Sequence, residues 1–398
     1  MTNFDATLTE RLAAIRAEGL YRELRRVASP QSPRLEIEGK TLLNFSSNDY
    51  LGLANDPSLK EAALQAVEKF GAGSGSSRLI CGSLAPHHEL EETLAAFKGT
   101  AAALSFSSGY TAALGAITAL VGKDDVIVAD KLVHACVVDA ARLCGAKLRI
   151  FAHSDLTELE EFLKWAGERA RGTSSASRTL IVTESVFSMD GDLAPLREII
   201  ELKDRHGAWL MLDEAHATGL FGAHRRGLAE AFELSDRIEI QMGTLGKALG
   251  SAGGYICGSR VLIDFLINRA RSFIFSTAPA PATSAAATAA IRLVQSAEGE
   301  TRRVRLWQRV DQIKNALIGA GFRLPTVQSA IIPLLIGDET AAVQTATQLR
   351  ERGVFIPAIR YPTVARGAAR LRLTASAAHT EADVALLVAA LADLKPGV

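Results

Sequence analysis

The chain has 398 residues, room for two or three domains at roughly 150 residues each. Its 44 basic and 44 acidic side chains cancel, so no charge excess argues for nucleic acid, and 6% aromatics offer little for base stacking. Cys81, Cys136, Cys144 and Cys257 form no C-x-x-C pair, which removes the common zinc and redox signatures and suggests a reducing, cytoplasmic setting.

Met1 to Glu10 carries Asp5 and Glu10 and no hydrophobic signal core. Residues 5–28 place Leu8, Leu12, Ile15, Leu20 and Leu24 near helical spacing and predict an amphipathic helix. A Ser-Pro-Gln-Ser-Pro turn at 29–33 leads to a strand at 41–45, an irregular stretch at 46–53 and a helix at 57–70. Gly99 to Gly122 is uncharged over 24 residues, long enough to cross a bilayer. Ser105, Ser107, Ser108, Gly109 and Tyr110 lie near its middle, so a strand, a polar turn and a buried helix are expected instead, and no membrane partner.

From residue 100 onward strands and helices alternate. Strands are predicted at 102–106, 126–129, 147–151, 179–183, 208–212, 238–242 and 253–257. Helices are predicted at 110–121, 134–144, 155–170 and 195–206, and 172–177 reads as a loop. Such alternation predicts an α/β fold with a mostly parallel central sheet covered by helices. Beyond Pro279-Ala-Pro281 come helices at 282–297 and 301–319, strand 330–336, helix 339–352, strands 354–356 and 370–374, and helix 380–394. The expected division is an N-terminal segment 1–45, a large α/β domain 46–280 and a small α+β domain 281–398.

Three short runs carry possible chemistry. Ser107-Ser-Gly-Tyr110 joins a predicted strand to a predicted helix, where backbone N–H groups bind anions. Asp213 ends the apolar run Leu210-Met-Leu, and ligands of open α/β sheets bind at that strand edge. Asp213 and His216 lack a third partner at metal-ligand spacing, so no metal is expected. Lys247 in Thr244-Leu-Gly-Lys lies among small and apolar residues, and desolvation favours a nucleophilic amine. A strand-end Asp, a strand-end Lys and an anion loop are the parts a pyridoxal 5'-phosphate site needs.

These motifs resemble the α-oxoamine synthases, fold-type I pyridoxal-phosphate transferases, over nearly the whole chain. The matching segments are Ser46–Leu53, Ser77–Gly82, His87–Glu91, Ser107–Tyr110, Ser185–Asp192, Asp213–His216, Thr244–Lys247, and Tyr361–Val364 with Arg370-Leu-Arg372. Asn268–Thr277 and Phe97–Thr100 are similar to the acyltransferase branch that condenses L-alanine with a pimeloyl thioester of CoA or acyl carrier protein in biotin biosynthesis. Ser77 stands where glycine-using relatives typically carry Thr, which leaves room for the alanine methyl. Sister activities remain open: glycine with acetyl-CoA, or a long-chain acyl synthase. An aminotransferase is a further reading, opposed by the Ser185–Asp192 run.

The resemblance implies a role for each matched residue. Lys247 would bond the cofactor, Asp213 would pair with the pyridine nitrogen, and His134 would stack on the ring. His216 and Ser185 would sit near the phenolic oxygen. Gly109, Tyr110 and Thr244 would hold the phosphate, with Ser276 and Thr277 supplied by the neighbouring subunit of a homodimer. Arg372 would bind the substrate carboxylate, Thr363 would contact substrate, and Arg22 would meet the acyl substrate. Two positions depart from the family pattern: Val133 replaces the usual Asn before His134, and Val364-Ala-Arg-Gly367 lacks a common Pro.

Overall fold

The computed structural model describes residues 3–171 and 177–392. Most of the predicted loop at 172–177, and residues 393 and 394 of the predicted last helix, lie outside the described residues. The strands, in chain order, are β1 (Arg34–Ile37), β2 (Lys40–Asn44), β3 (Ala102–Phe106), β4 (Val126–Asp130), β5 (Lys147–Phe151), β6 (Thr179–Glu184), β7 (Trp209–Asp213), β8 (Ile240–Thr244), β9 (Gly254–Gly258), β10 (Ile331–Gly337), β11 (Val354–Phe355), β12 (Ala358–Ile359) and β13 (Ala369–Thr374). The chain packs as two compact units, 48–308 and 1–47 with 309–398.

The larger unit is built on a seven-stranded sheet in the order β3-β9-β8-β7-β6-β4-β5. The pairings from β8 through β7, β6 and β4 to β5 are all parallel, and β9 runs antiparallel to β8 and β3. The fold is therefore a mostly parallel, helix-covered sheet of the fold-type I kind. The inner strands β4, β6 and β7 are largely apolar because both faces are covered, whereas the edge strand β5 carries Lys147 and Arg149. On one face Ile127, Val182, Met211 and Ile256 pack with Ala113, Ile117, Val137 and Leu266. On the other, Val128, Ile181 and Leu210 pack with Leu159, Leu163, Ile199 and Ile200.

Parallel pairing puts the strand ends that matter on one edge. Glu184 is in register with Asp213, and Asp213 with Met242. Gly254 pairs with Phe106 on one side and Thr244 on the other, so the 107–110 turn emerges beside Thr244.

Helix Pro281–Gln295 packs on helices Pro57–Phe70 and Ala85–Lys98. Residues 281–308, grouped by composition with the C-terminal part, thus lie in the larger unit. Helix Ala85–Lys98 was not predicted; Pro86 starts it and Gly99, at φ +69°, caps it.

In the smaller unit β1 and β2 form a hairpin and β11 joins β2 in parallel. A second sheet runs β10-β13-β12. The predicted helix at 5–28 is shorter, Asn3–Ala17, and buries no residue. Gly19, at φ +68°, follows its end, and Leu24 projects fully into solvent.

Candidate active site

Lys247 sits in the turn between β8 and β9. Leu245 N–H donates to the Gly253 carbonyl and Gly250 N–H to the Lys247 carbonyl, so the loop is folded on itself. Gly250 has φ +61°, and a Cβ there would fall 2.5 Å from Ala54 N. That close approach explains the glycine, and it seats the lysine loop against the end of the Ser46–Leu53 motif.

The lysine amine does not stand alone. Lys247 Nζ lies 2.7 Å from His216 Nε2, and His216 Nδ1 lies 2.7 Å from the Tyr50 hydroxyl. Tyr50 is also 3.2 Å from Asn48 Oδ1. Tyr50 and His216 are both buried.

Asp213 ends β7 and is buried; Oδ1 accepts from Ala215 N–H at 2.8 Å. Oδ2 takes no hydrogen bond among the described residues. Burial holds the Asp213 carboxyl above its ordinary range, only partly offset by the charge of Lys247 and the hydrogen bond from Ala215 N–H. Glu184, its neighbour in register, is buried, and its Oε1 has no hydrogen bond among the described residues. Burial, then the charge of Asp213, hold the Glu184 carboxyl well above the usual carboxylate range.

His134 caps helix Ala135–Cys144, and its Nδ1 accepts from Cys136 N–H at 3.3 Å. That bond requires an unprotonated Nδ1. Burial against its neighbours holds the imidazole below its ordinary range, consistent with a neutral ring. The Tyr110 ring stands edge-on to it at 6.4 Å, with the phenol donating to Asp139 at 2.6 Å.

Ser108 caps helix Gly109–Leu120 by accepting from Thr111 N–H, so its hydroxyl is committed to the helix. What remains for an anion are the N–H groups of Gly109 and Tyr110, which have no partner among the described residues. A Cβ built on Gly109 would lie 3.7 Å from Thr244 Cβ, which places Thr244 beside those donors. Ser185 is buried and its hydroxyl donates to the Asp213 carbonyl at 3.2 Å.

Lys247, Asp213, His134, His216, Ser185, Gly109, Tyr110 and Thr244 therefore gather at one sheet edge. Ser276 and Thr277 follow the short helix Arg271–Ile274, and Thr277 bridges to Ser77. Arg22 and Thr363 line one cavity of about 550 Å³ in the smaller unit, with Arg25 and Arg360. Arg372 is buried on β13. Sequence reasoning passed over Tyr50 and Glu184 as individual groups. Tyr50 was legible only as part of the Ser46–Leu53 run, 166 residues from its histidine partner.

The groups gathered at this edge fit pyridoxal phosphate. Two free N–H donors at a helix start suit a phosphate. A buried carboxyl with one free oxygen suits a pyridine N–H, and an amine at the strand edge suits a carbonyl.

The aminotransferase class I and II family matches residues 40–391. The chain is 47% identical over 386 residues to an 8-amino-7-oxononanoate synthase of Geotalea daltonii, covering 97% of each chain. It is 49% identical over 381 residues to the synthase of that name from Geobacter sulfurreducens, covering 96% of each. Among solved structures it is similar to serine palmitoyltransferase from S. paucimobilis with PLP and myriocin bound. That match has TM-score 0.89 and 30% identity, over 97% of this chain and 96% of that one. The 8-amino-7-oxononanoate synthase of Francisella tularensis superposes with TM-score 0.75 at 27% identity, over 89% of this chain and 97% of that one. The chain belongs to the aminotransferase class I and II family, in its α-oxoamine synthase group, and is a pyridoxal-phosphate enzyme.

Proposed function

We propose that the protein condenses L-alanine with a pimeloyl thioester to give 8-amino-7-oxononanoate, CO2 and the free thiol carrier, in biotin biosynthesis. The carrying observation is an amine, Lys247 Nζ, held 2.7 Å from His216 on the edge where Asp213 ends its strand. Relatives close to half identical that bear the name of this synthase support the choice of substrates.

Pyridoxal phosphate, when bound, supplies a carbonyl that exchanges amines and a ring that draws off the electrons left at the alanine Cα. Lys247 would hold it covalently, and Asp213 would keep its ring nitrogen protonated. The Gly109 and Tyr110 N–H groups and the Thr244 hydroxyl would hold the phosphate, with Ser276 and Thr277 from the second subunit of a homodimer. His134 would lie on the ring face and His216 near the phenolic oxygen. Ser185 would serve through the Asp213 main chain that it braces.

With alanine in place, the Lys247 amine would remove the Cα proton as general base. A bond forms from Cα to the acyl carbon as the carbon–sulfur bond breaks and the thiol leaves. The alanine carboxylate then departs as CO2, and Lys247 returns a proton to Cα. Arg372 would orient the alanine carboxylate, Thr363 would contact substrate, and Arg22 would meet the distal carboxylate of the acyl chain. Ser77 leaves space for the alanine methyl, a difference worth ~1–3 kcal/mol between competing amino acids. We place this activity in the cytoplasm.

The test is a panel of amino acids against acyl thioesters, read by thiol release and product mass. Alanine with a pimeloyl thioester should give the highest kcat/KM, on either CoA or carrier protein. Faster turnover of glycine with acetyl-CoA would overturn the substrate assignment.

A further inference from the structure

His153 is a half-buried histidine between two carboxylates that the proposed chemistry does not use. Its Nδ1 lies 3.0 Å from Asp130 Oδ1, and its Nε2 lies 2.7 Å from Asp192 Oδ2. An ionised carboxylate only accepts hydrogen bonds, so each ring nitrogen must carry a proton. The geometry therefore calls for an imidazolium. Phe187, itself buried, stands edge-on to the ring at 4.4 Å and fixes its plane.

The two carboxylates belong to two different catalytic loops. Asp130 ends β4, and its Oδ1 accepts from Leu132 N–H at 2.8 Å, shaping the turn that runs straight into His134. Its Oδ2 accepts from Ser154 N–H at 2.9 Å. Ser154 has φ +58°, a conformation uncommon for a residue with a side chain, and this bond holds it there. Asp192 closes the loop after β6, where Phe187 N–H donates to the Asp192 carbonyl and Ala194 N–H to the Ser185 carbonyl. That loop begins at Glu184 and Ser185, beside Asp213.

We propose that His153 is a positioning residue that ties the His134 turn to the Ser185–Asp192 loop, and so sets where the His134 ring stands over the reacting centre. This rests on the functional reading above for what His134 does, but the tie itself is a property of the folded chain. Three segments that follow three different strands meet at one side chain, with two negative charges around one positive. A neutral amide of similar size can donate to one carboxylate while leaving the other with its charge uncompensated. Burial opposes the charge on the ring, yet the bonds and charges of Asp130 and Asp192 hold the imidazole up at about 10. The facing groups are Asp130 from β4 and Asp192 from the loop after β6, with Phe187 uncharged.

Two measurements test the proposal. The first is ¹⁵N NMR of the imidazole groups in the cofactor-free protein at pH 8, which does not depend on the reaction. Both nitrogens of His153 should be protonated; a neutral ring would overturn the proposal whatever the enzyme turns over. The second is His153→Gly in the holoenzyme, with and without added imidazole. We expect kcat to fall at least 10-fold with cofactor still bound. Imidazole should restore part of it, because the ring is about a quarter exposed and a free imidazolium can enter. Lower thermal stability with unchanged kcat and KM for alanine, or a loss of kcat that imidazole does not relieve, would also overturn it. If the variant fails to fold, the NMR result on the wild-type protein decides.

Discussion

His216 Nε2 and Lys247 Nζ lie 2.7 Å apart, with Tyr50 at the same distance on the far side of the imidazole. One ring proton can serve either contact. If Tyr50 donates to Asn48, it accepts from Nδ1–H, and Nε2 accepts a hydrogen bond from a charged lysine. If Tyr50 donates to Nδ1, then Nε2–H donates to the neutral amine. The histidine can thus accompany the lysine through both of its charge states. Tyr50→Phe keeps the ring but removes the hydroxyl that fixes the tautomer. General acid–base help of this kind contributes roughly 10²–10⁴-fold, and an indirect partner should contribute the lower part of that range. We expect exchange of the alanine Cα proton with solvent to slow by ~10–100-fold, measured by NMR, with little change in cofactor affinity. Unchanged exchange in Tyr50→Phe would show that the contact is only structural.

Gly254 permits the 107–110 turn to lie against β9. A Cβ at that position would fall 2.5 Å from both Gly109 N and Ser108 O, which are backbone atoms that cannot swing aside. Gly254→Ala should push the two free N–H donors away from Thr244. We expect cofactor affinity to drop at least 10-fold by equilibrium dialysis, with the far-ultraviolet circular dichroism of the wild type. Normal affinity would mean the loop has slack.

Lys98 is buried and pairs with Glu214, which has no exposed surface and is the next residue after Asp213. Burial alone would pull the ammonium down, but Glu214 overrides it and holds the amine charged. Glu214 Oε1 also accepts from Ala229 N–H at 2.9 Å. Lys98→Met would strand that carboxylate, and breaking a buried pair by removing one partner costs about 3–5 kcal/mol. Urea denaturation should show a loss of this size. The double variant with Glu214→Gln should recover part of it, since the second change removes the unpaired charge.

His379 makes the smaller unit sensitive to acid. Its Nδ1 accepts from Ser376 N–H at 3.0 Å, and Nε2–H donates to the Asn44 carbonyl at 2.8 Å, which together demand a neutral ring. It stacks on Phe45 at 4.0 Å. Burial, only partly offset by the Asn44 carbonyl, pulls the imidazole down to about 4 from 6.5. A depressed folded value means the unfolded chain binds the proton first. Stability is therefore complete above pH ~6.5 and declines as pH falls toward about 4, by about 3 kcal/mol in total at 1.36 kcal/mol per unit. His379→Gln should flatten that part of the stability–pH curve, followed by chemical denaturation. An unaltered slope would assign the acid sensitivity to other groups.

The sequence by itself determined the sheet and singled out the candidate chemical residues. β3 and β5 begin and end where the sequence places them; Asp213 was legible because it closes an apolar strand run, and Lys247 because it lies among small and apolar residues soon after a strand. These are local signals: periodicity, residue size and the turn that follows. Only the tertiary structure decided the rest. The helix expected at 5–28 stops at Ala17, where Gly19 turns the backbone, and among the described residues none of its side chains is buried. Tyr50, Glu184 and His153 matter through partners 166, 29 and 39 residues away, namely His216, Asp213 and Asp192. Parallel pairing brings strand ends to one edge whatever their separation in sequence, and no local pattern records which side chains then meet.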